Sequence, residues 1–429
     1  MISSTLGQGK YKLNELHLAN LDKYVQYGPI VREEFQPGHP VVHLFEPNDY
    51  ASVLRNQGPA PLRPPNEFVC HYRSRHPERY PNAGIANLQG EQWAEQRRLL
   101  APALLKLGAL DAYLPQINQL AQELVQCILR KGNDHRDHEI NAGHRSSIDI
   151  LDLQSLAYRL ALEAICALCL DTRLHCLDTD QITTDGRTLV EATCQLFDAY
   201  QQLYYAPPLW KLYDTPAFIQ LASAESTIYE TAGRYIESAM GELNDEIHLD
   251  KQSERPSLMR TLISIPKLDR RDIRTLILDF IAGGINTTSN MLAVALWHLA
   301  SNPSKQQILY NELSQLFPQH RQSNSDVNVD SNKLNKSKYL RACLKESFRL
   351  DSPIPCIVRT LTNDQELAGY HVPAGVSCDP KNFHFLNNEK DEFHLTDYRL
   401  WAHFQRLSSG EKLCGSDEIH ARTLAERIT

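Results

Sequence analysis

One long apolar stretch constrains this chain more than any other feature. It runs from about Asp272 to the stop signal Asn302-Pro303 and carries two adjacent glycines, Gly283 and Gly284, in its middle. Its apolar spacing and its ending predict a single helix. Each interior glycine costs a helix roughly 1 kcal/mol relative to alanine. The hydroxyls of Thr287 and Thr288, just beyond, bond back to carbonyls of the preceding turn and loosen it further. A sequence that weakens the centre of its most hydrophobic helix does so to let something approach the backbone. The glycines alone fit a close crossing with another helix; with the threonines they also fit a large flat group lying against this one.

A second helix is predicted over Tyr339–Leu350, ending before Pro353 and Pro355. Glu346 and Arg349 are three apart and share a face. Leu344, Phe348 and Leu350 around them predict a partly buried pair, which needs further partners to be tolerated. A lone Glu-x-x-Arg is most often solvated surface. On the same helix Arg341 and Lys345 are four apart, a basic pair that is ordinarily solvated and that also suits an acidic partner.

The chain has 429 residues, 42% apolar and 22% charged, which is enough for a sizeable core. A net charge of −8 excludes general nucleic-acid binding. No run offers the ~18–20 uncharged apolar residues of a membrane span, so any membrane contact is expected to be peripheral. Helical patterns dominate, with strand-like runs at Pro29–Phe35, Pro40–Phe45, Ile357–Thr360 and Tyr370–Val372. The expectation is a mainly α fold with small β-sheets, read as one domain over residues 1–429.

Ten cysteines without a regular framework point to reduced thiols. Cys166 and Cys169 lack a second pair for zinc and read as buried helix residues. Residues 133–139 read as a solvated loop, and Gln319–Lys338, rich in Ser, Asn and Asp, as an exposed linker.

Taken together, Asp279–Asn290 and Tyr339–Leu350 resemble the oxygen-binding helix and the Glu-x-x-Arg helix of cytochrome P450 enzymes. Tyr27-Gly28-Pro29, Pro61-Leu62-Arg63-Pro64, Tyr72–His76 and Gly90–Arg97 extend the resemblance in the family's order. Ala161-Leu162-Glu163, Leu170–Leu174 and Pro207–Trp210 are similar to the mitochondrial clan, within it to insect ecdysteroid hydroxylases, the 2-hydroxylase type first. The resemblance implies the cytochrome P450 fold and haem b with a cysteine thiolate ligand. Gly410-Glu411-Lys412-Leu413-Cys414-Gly415 keeps Gly-x-(basic)-x-Cys, making Cys414 the metal ligand and Lys412 a cofactor neighbour; Cys378 is the rival.

By the same resemblance Trp93, Arg97 and Arg359 hold the haem propionates, and Gly283 and Gly284 leave room for oxygen. Thr287 helps deliver protons. Asn286 stands where the family usually has an acid; an amide orients water but does not titrate. Glu346 and Arg349 form a structural ion pair, and Arg341 and Lys345 contact an adrenodoxin-like ferredoxin. The implied reaction is hydroxylation of an apolar substrate, an ecdysteroid first and a detoxified compound second, on the matrix side of the mitochondrial inner membrane. Pocket residues are expected from Val69–Tyr72, Phe197–Tyr204 and Phe280–Gly284.

Met1–Lys12 contains no arginine, so either a presequence is missing from this sequence or the mature start lies here. From Ser377 onward the chain departs from the family pattern, leaving the C-terminal part incomplete. That departure raises a reading of another class: a catalytically inactive product that still binds ferredoxin.

Overall fold

In the computed structural model of the chain, the described residues are 11, 16–36, 39–104, 111–136, 153–177, 182–248, 258–318, 329–354 and 357–380. The first part comprises α1 (Leu16–Tyr27), β1 (Ile30–Gln36), β2 (His39–Leu44), α2 (Pro47–Arg55), α3 (Glu67–Ser74), α4 (Gly90–Leu104) and α5 (Leu114–Arg136). The helical body follows as α6 (Leu153–Leu170), α7 (Thr184–Tyr205), α8 (Pro216–His248), α9 (Leu258–Ile263) and α10 (Arg270–Ser301). Then come α11 (Pro303–Leu316), α12 (Ser331–Lys336), α13 (Lys338–Leu350), β3 (Arg359–Thr360), β4 (Gln365–Leu367), β5 (Tyr370–Val372) and β6 (Ser377–Pro380). This is a mainly α fold with small sheets, as the sequence predicts.

The long helix α10 runs unbroken through its glycines. A capping box starts it: the Asp269 carboxylate accepts from the Asp272 backbone N–H at 2.8 Å, and the Asp272 carboxylate accepts from that of Asp269 at 3.1 Å. Asn302 ends it, and Pro303 opens α11 at a position where its missing N–H costs nothing. Ile273, Ile277, Ile281 and Ile285 recur every four residues and are at most 3% exposed, so one stripe of the helix is sealed in the core. The same core takes in α3 and α6 to α9.

Helix α6 is the most intimate neighbour of α10. Cys166 and Cys169 are buried in it, as expected of core residues. Leu153–Leu170, with a mean hydropathy of 1.4, is long and apolar enough to cross a membrane, but 61% of it is buried in the protein. It also carries Arg159 and Glu163. Glu163, 0% exposed, takes the Arg173 Nε at 2.7 Å and the backbone N–H of Cys176 at 2.5 Å, which fixes the turn after the helix.

The larger sheet has the order β1-β2-β6-β3, with β6 parallel to β2 and antiparallel to β3. β4 and β5 form a separate antiparallel pair. His43 on β2 ties the larger sheet together, bonding Glu33 of β1 at 2.8 Å and Asp379 of β6 at 3.1 Å. Burial opposes the charge on Glu33, but bonds from His43 and Lys23 outweigh it and hold the carboxyl down at about 2.

Two loop expectations are corrected. Asn133–Arg136 continue α5. Within Gln319–Lys338, the Asp330 side chain caps the short helix α12 by accepting from the Lys333 N–H at 2.8 Å. Ser377–Pro380, where the departure from the family pattern is expected to begin, forms a paired strand.

Candidate functional site: an open glycine, an arginine cluster and a cavity

The two glycines of α10 do different work. A Cβ on Gly284 would meet the side chain of Ile165 on α6 at 2.9 Å, so this glycine is the close helix crossing. A Cβ on Gly283 would meet nothing within 4 Å, and Gly283 lines a cavity. Of the two residues expected to make room beside the helix, only Gly283 is placed to do so. Thr287 Oγ1 donates to the Gly283 carbonyl at 2.8 Å, which leaves its oxygen free to accept from water. Asn286 points toward α6, where its carbonyl accepts from the Tyr158 hydroxyl at 2.8 Å. Asn290, one turn on, bonds Gln154 of the same helix at 2.7 Å.

A second locus lies where α4 meets the sheet. Trp93 stands between two guanidinium groups, Arg63 at 4.9 Å and Arg97 at 5.3 Å from its ring centre. A backbone bridge between Leu62 and Thr360 brings Arg359 to the same place. Arg359 is held by Gln57 at 2.5 Å and by its neighbour's carbonyl at 2.9 Å. Burial lowers the Arg63 pKa, and the charges of Arg359 and Arg97 lower it further. Among the described residues no carboxylate forms a salt bridge with any of the three, and Arg63 Nε is buried without a hydrogen-bond partner. Three like charges gathered in this way repel one another unless an anion joins them. A group bearing two carboxylates fits the cluster. Trp93, Arg97 and Arg359 were the residues expected for the propionates; Arg63 was not, although it stands in the quoted Pro61–Pro64 segment.

The cavity at Gly283 is walled by α7, α8, α10 and the segment from α3 to α4. Phe197, Tyr200, Ala282 and Gly283 line it, from two of the three segments expected. The third expectation is corrected: Val69 and Tyr72 lie in the core, because their face of α3 packs inward, and Arg73 lines the cavity instead. Arg73 donates to Asp279 Oδ1 at 2.8 Å, to Glu225 Oε1 at 3.3 Å and to the Ala83 carbonyl at 3.0 Å. Burial opposes its charge, but the two carboxylates raise its pKa well above the usual value. Gly84 has φ +84°, and a Cβ there would strike both Arg73 and Asp279 at 2.3 Å, so only glycine lets this loop close over the pair. The polar cluster had no signal in sequence beyond the lone Asp279 in an apolar helix.

On α13, Arg349 grips Glu346 through two bonds of 2.8 and 2.6 Å. The pair was expected to be partly buried, yet the Glu346 side chain is 56% exposed and that of Arg349 28%. Leu344 and Phe348 are exposed beside it, because no described element covers that face of the helix. Arg341 and Lys345 are both exposed. Cys378 is 0% exposed on β6, and burial together with Asp379 pushes its thiol up to about 12. Lys412 and Cys414 lie outside the described residues.

Comparison with known proteins bears on the whole chain. The ecdysone 20-monooxygenase of Drosophila melanogaster is 31% identical over 370 residues, covering 85% of this chain and 65% of that protein. The chain thus spans just under two thirds of that relative's length. Cytochrome P450 302a1, mitochondrial, from the same organism is 29% identical over 401 residues, covering 93% of this chain and 74% of the relative. A probable cytochrome P450, CYP44, of Caenorhabditis elegans is 27% identical over 434 residues, covering 94% and 81% respectively. The family model described as Cytochrome P450 matches residues 8–393. A match of that extent, over a mainly helical fold whose glycine-opened helix and arginine cluster stand in the family's order, makes the chain a member of the cytochrome P450 family.

Proposed function

We propose that this chain is a haem-thiolate monooxygenase that hydroxylates a steroid of the ecdysteroid class, with electrons from an adrenodoxin-like ferredoxin on the matrix side of the mitochondrial inner membrane. The observation that carries the reading is the cluster of Arg63, Arg97 and Arg359 around Trp93, three cations with no carboxylate of the described protein to balance them. Two propionates suit it. Haem b, when bound, supplies oxygen activation and insertion into an unactivated C–H bond. The protein's part is position and dryness. Trp93 and the arginines hold the propionate edge, and Cys414, with Lys412 beside it in sequence, serves as the thiolate ligand. Gly283 keeps the cavity open against α10, and Thr287 Oγ1 accepts a hydrogen bond from water beside it. Asn286, held by Tyr158, orients rather than titrates.

The name of the Drosophila relative supports the steroid class, and the names of other relatives support the mitochondrion. Nothing in the cavity favours the 2-position over the 20-position. Exposed Arg341 and Lys345 on α13 suit an acidic ferredoxin. A peripheral membrane contact is supported between α7 and α8, where Leu209, Leu212 and Tyr213 are 42%, 82% and 57% exposed.

A second reading, an inactive product that retains partner binding, is favoured by the departure of the sequence around Cys414 from the family pattern. The reduced carbon-monoxide difference spectrum separates the two. Purified protein should show the red-shifted band of thiolate-ligated haem; Cys414→Ser should abolish it and Cys378→Ser should not. A featureless trace from the parent would leave the inactive reading.

A further inference from the structure

We propose that the Tyr200 hydroxyl is the polar anchor of the cavity beside Gly283 and donates a hydrogen bond to a neutral oxygen, carbonyl or hydroxyl, on an otherwise apolar substrate. The inference rests on the monooxygenase reading for the identity of the cavity. It goes beyond that reading in naming the residue that positions the substrate and the group it grips.

A cavity recognises only through the atoms it exposes, and most polar atoms of this wall are already paired. Arg73 donates to Asp279, Glu225 and the Ala83 carbonyl, and the Tyr80 hydroxyl donates to Glu225 at 3.2 Å. The Asn87 side chain accepts from the Asn66 backbone N–H and donates to the Ala83 carbonyl, both at 3.1 Å. Asp279 Oδ2 and Arg73 Nε have no partner, but both are sealed off from accessible space and offer a ligand nothing. Tyr200 differs. It lines the cavity, no described residue hydrogen-bonds its hydroxyl, and that hydroxyl keeps accessible surface. The charged groups that act on the phenol are Glu225, Arg73 and Asp279, all of them cavity-wall residues, so the hydroxyl stands on the cavity side.

The ring that carries it is clamped. Phe68 of α3 lies 5.1 Å away between ring centres, and Phe197, about one turn earlier on α7, lies 5.6 Å away. A group already fixed in place loses little freedom on binding. Burial raises the Tyr200 pKa well above its usual value, and Glu225 raises it further, so the phenol keeps its proton and remains a donor. A ligand carboxylate is repelled by Glu225 and Asp279, and an ammonium has no lone pair to accept the phenolic proton. A neutral oxygen accepts it and meets no like charge. The rest of the wall, Leu196, Phe197, Ile228 and Ala282 among it, suits an apolar body. Tyr200 stands on α7 and Gly283 on α10, so an oxygen held at Tyr200 fixes which edge of the skeleton turns toward the open glycine.

Equilibrium dialysis of the full chain tests this without turnover. The probes are 5α-androstane-3,17-dione, an apolar skeleton with two carbonyls, and 5α-androstane, the same skeleton without oxygen. Tyr200→Phe removes one oxygen and keeps the clamped ring. Affinity for the dione should fall about tenfold, while affinity for androstane should hold or rise, because only the dione loses a hydrogen bond. Infrared spectra of the bound dione give a second reading: one carbonyl stretch should lie at lower frequency in the parent than in Tyr200→Phe, a shift that a purely structural tyrosine would not produce. Tyr204→Phe serves as the control. It removes a hydroxyl that donates to Asn66 from a ring packed on the same Phe68, and it should change neither readout. Equal losses for dione and androstane in Tyr200→Phe, an unshifted carbonyl band in the parent, or failure of the parent to bind the dione would each overturn the proposal. A missing carbon-monoxide band would instead strike the monooxygenase reading and leave the dialysis and infrared results standing.

Discussion

At the residue level, charge tells a site from a scaffold. Trp93, Arg97 and Arg359 are legible in sequence only through the family resemblance that orders the segments carrying them. Arg63 gains its role only when the Leu62–Thr360 bridge joins segments far apart in the chain, which no local spacing encodes. The cluster makes a two-sided prediction. Removing one of three mutually repelling cations relieves the apoprotein, so Arg63→Gln should raise its melting temperature slightly. The same change removes a charge-assisted bond to a propionate, worth about 1.5–3 kcal/mol. Haem transfer from the variant to apomyoglobin should then be faster by about tenfold or more. If the apoprotein is instead destabilised and haem loss is unchanged, Arg63 is a packing residue of Trp93 and nothing else.

Among the elements, α10 shows how two identical neighbours part company. A sequence reader sees Gly283-Gly284 and two explanations, a close crossing and an open groove; the structure assigns one to each glycine. The reason is rotational: successive helical residues point about 100° apart, so one glycine faces α6 while the next faces the cavity. Asn286 shows the same effect, since its position turns it toward Tyr158. Alanine substitutions should move stability in opposite directions. Gly283→Ala adds a methyl to open space and gains helix propensity, about 1 kcal/mol, so its melting temperature should rise. It also narrows the cavity, and steroid binding should weaken. Gly284→Ala drives a methyl into Ile165, and overpacking of about 1–3 kcal/mol outweighs the propensity gain, lowering the melting temperature. Thermal unfolding of both variants decides the assignment; shifts of the same sign would refute it.

On the scale of the whole molecule, the fold class and most strands are legible because periodicity is local. β1, β2, β3 and β5 fall within or beside the runs expected, whereas β4 and β6 are too short and polar to announce themselves. β6 is a strand only because β2 and β3 flank it. The exposure of Glu346 was not legible for the same reason: burial depends on what covers a helix, and the described elements leave that face of α13 open.

Charge placement across the molecule carries the last prediction. The chain bears a net charge of −8, so an acidic ferredoxin is repelled at long range and needs a local basic surface. Arg341 and Lys345 offer one, exposed and four residues apart on α13. Arg341 is steadied by the Asn335 carbonyl at 3.0 Å, which orders the side chain without neutralising it. Reversing both, Arg341→Glu and Lys345→Glu, leaves Glu346 and Arg349 in place and turns attraction into repulsion. Affinity for a mitochondrial-type ferredoxin should fall by about tenfold or more at low salt. The difference from the parent should shrink toward physiological salt, where the screening length is about 8 Å. Titration at two ionic strengths reads both effects, and it does so even in protein that holds no haem. Equal affinity in parent and variant would make the pair ordinary solvated surface and would withdraw the physical argument for a ferredoxin partner.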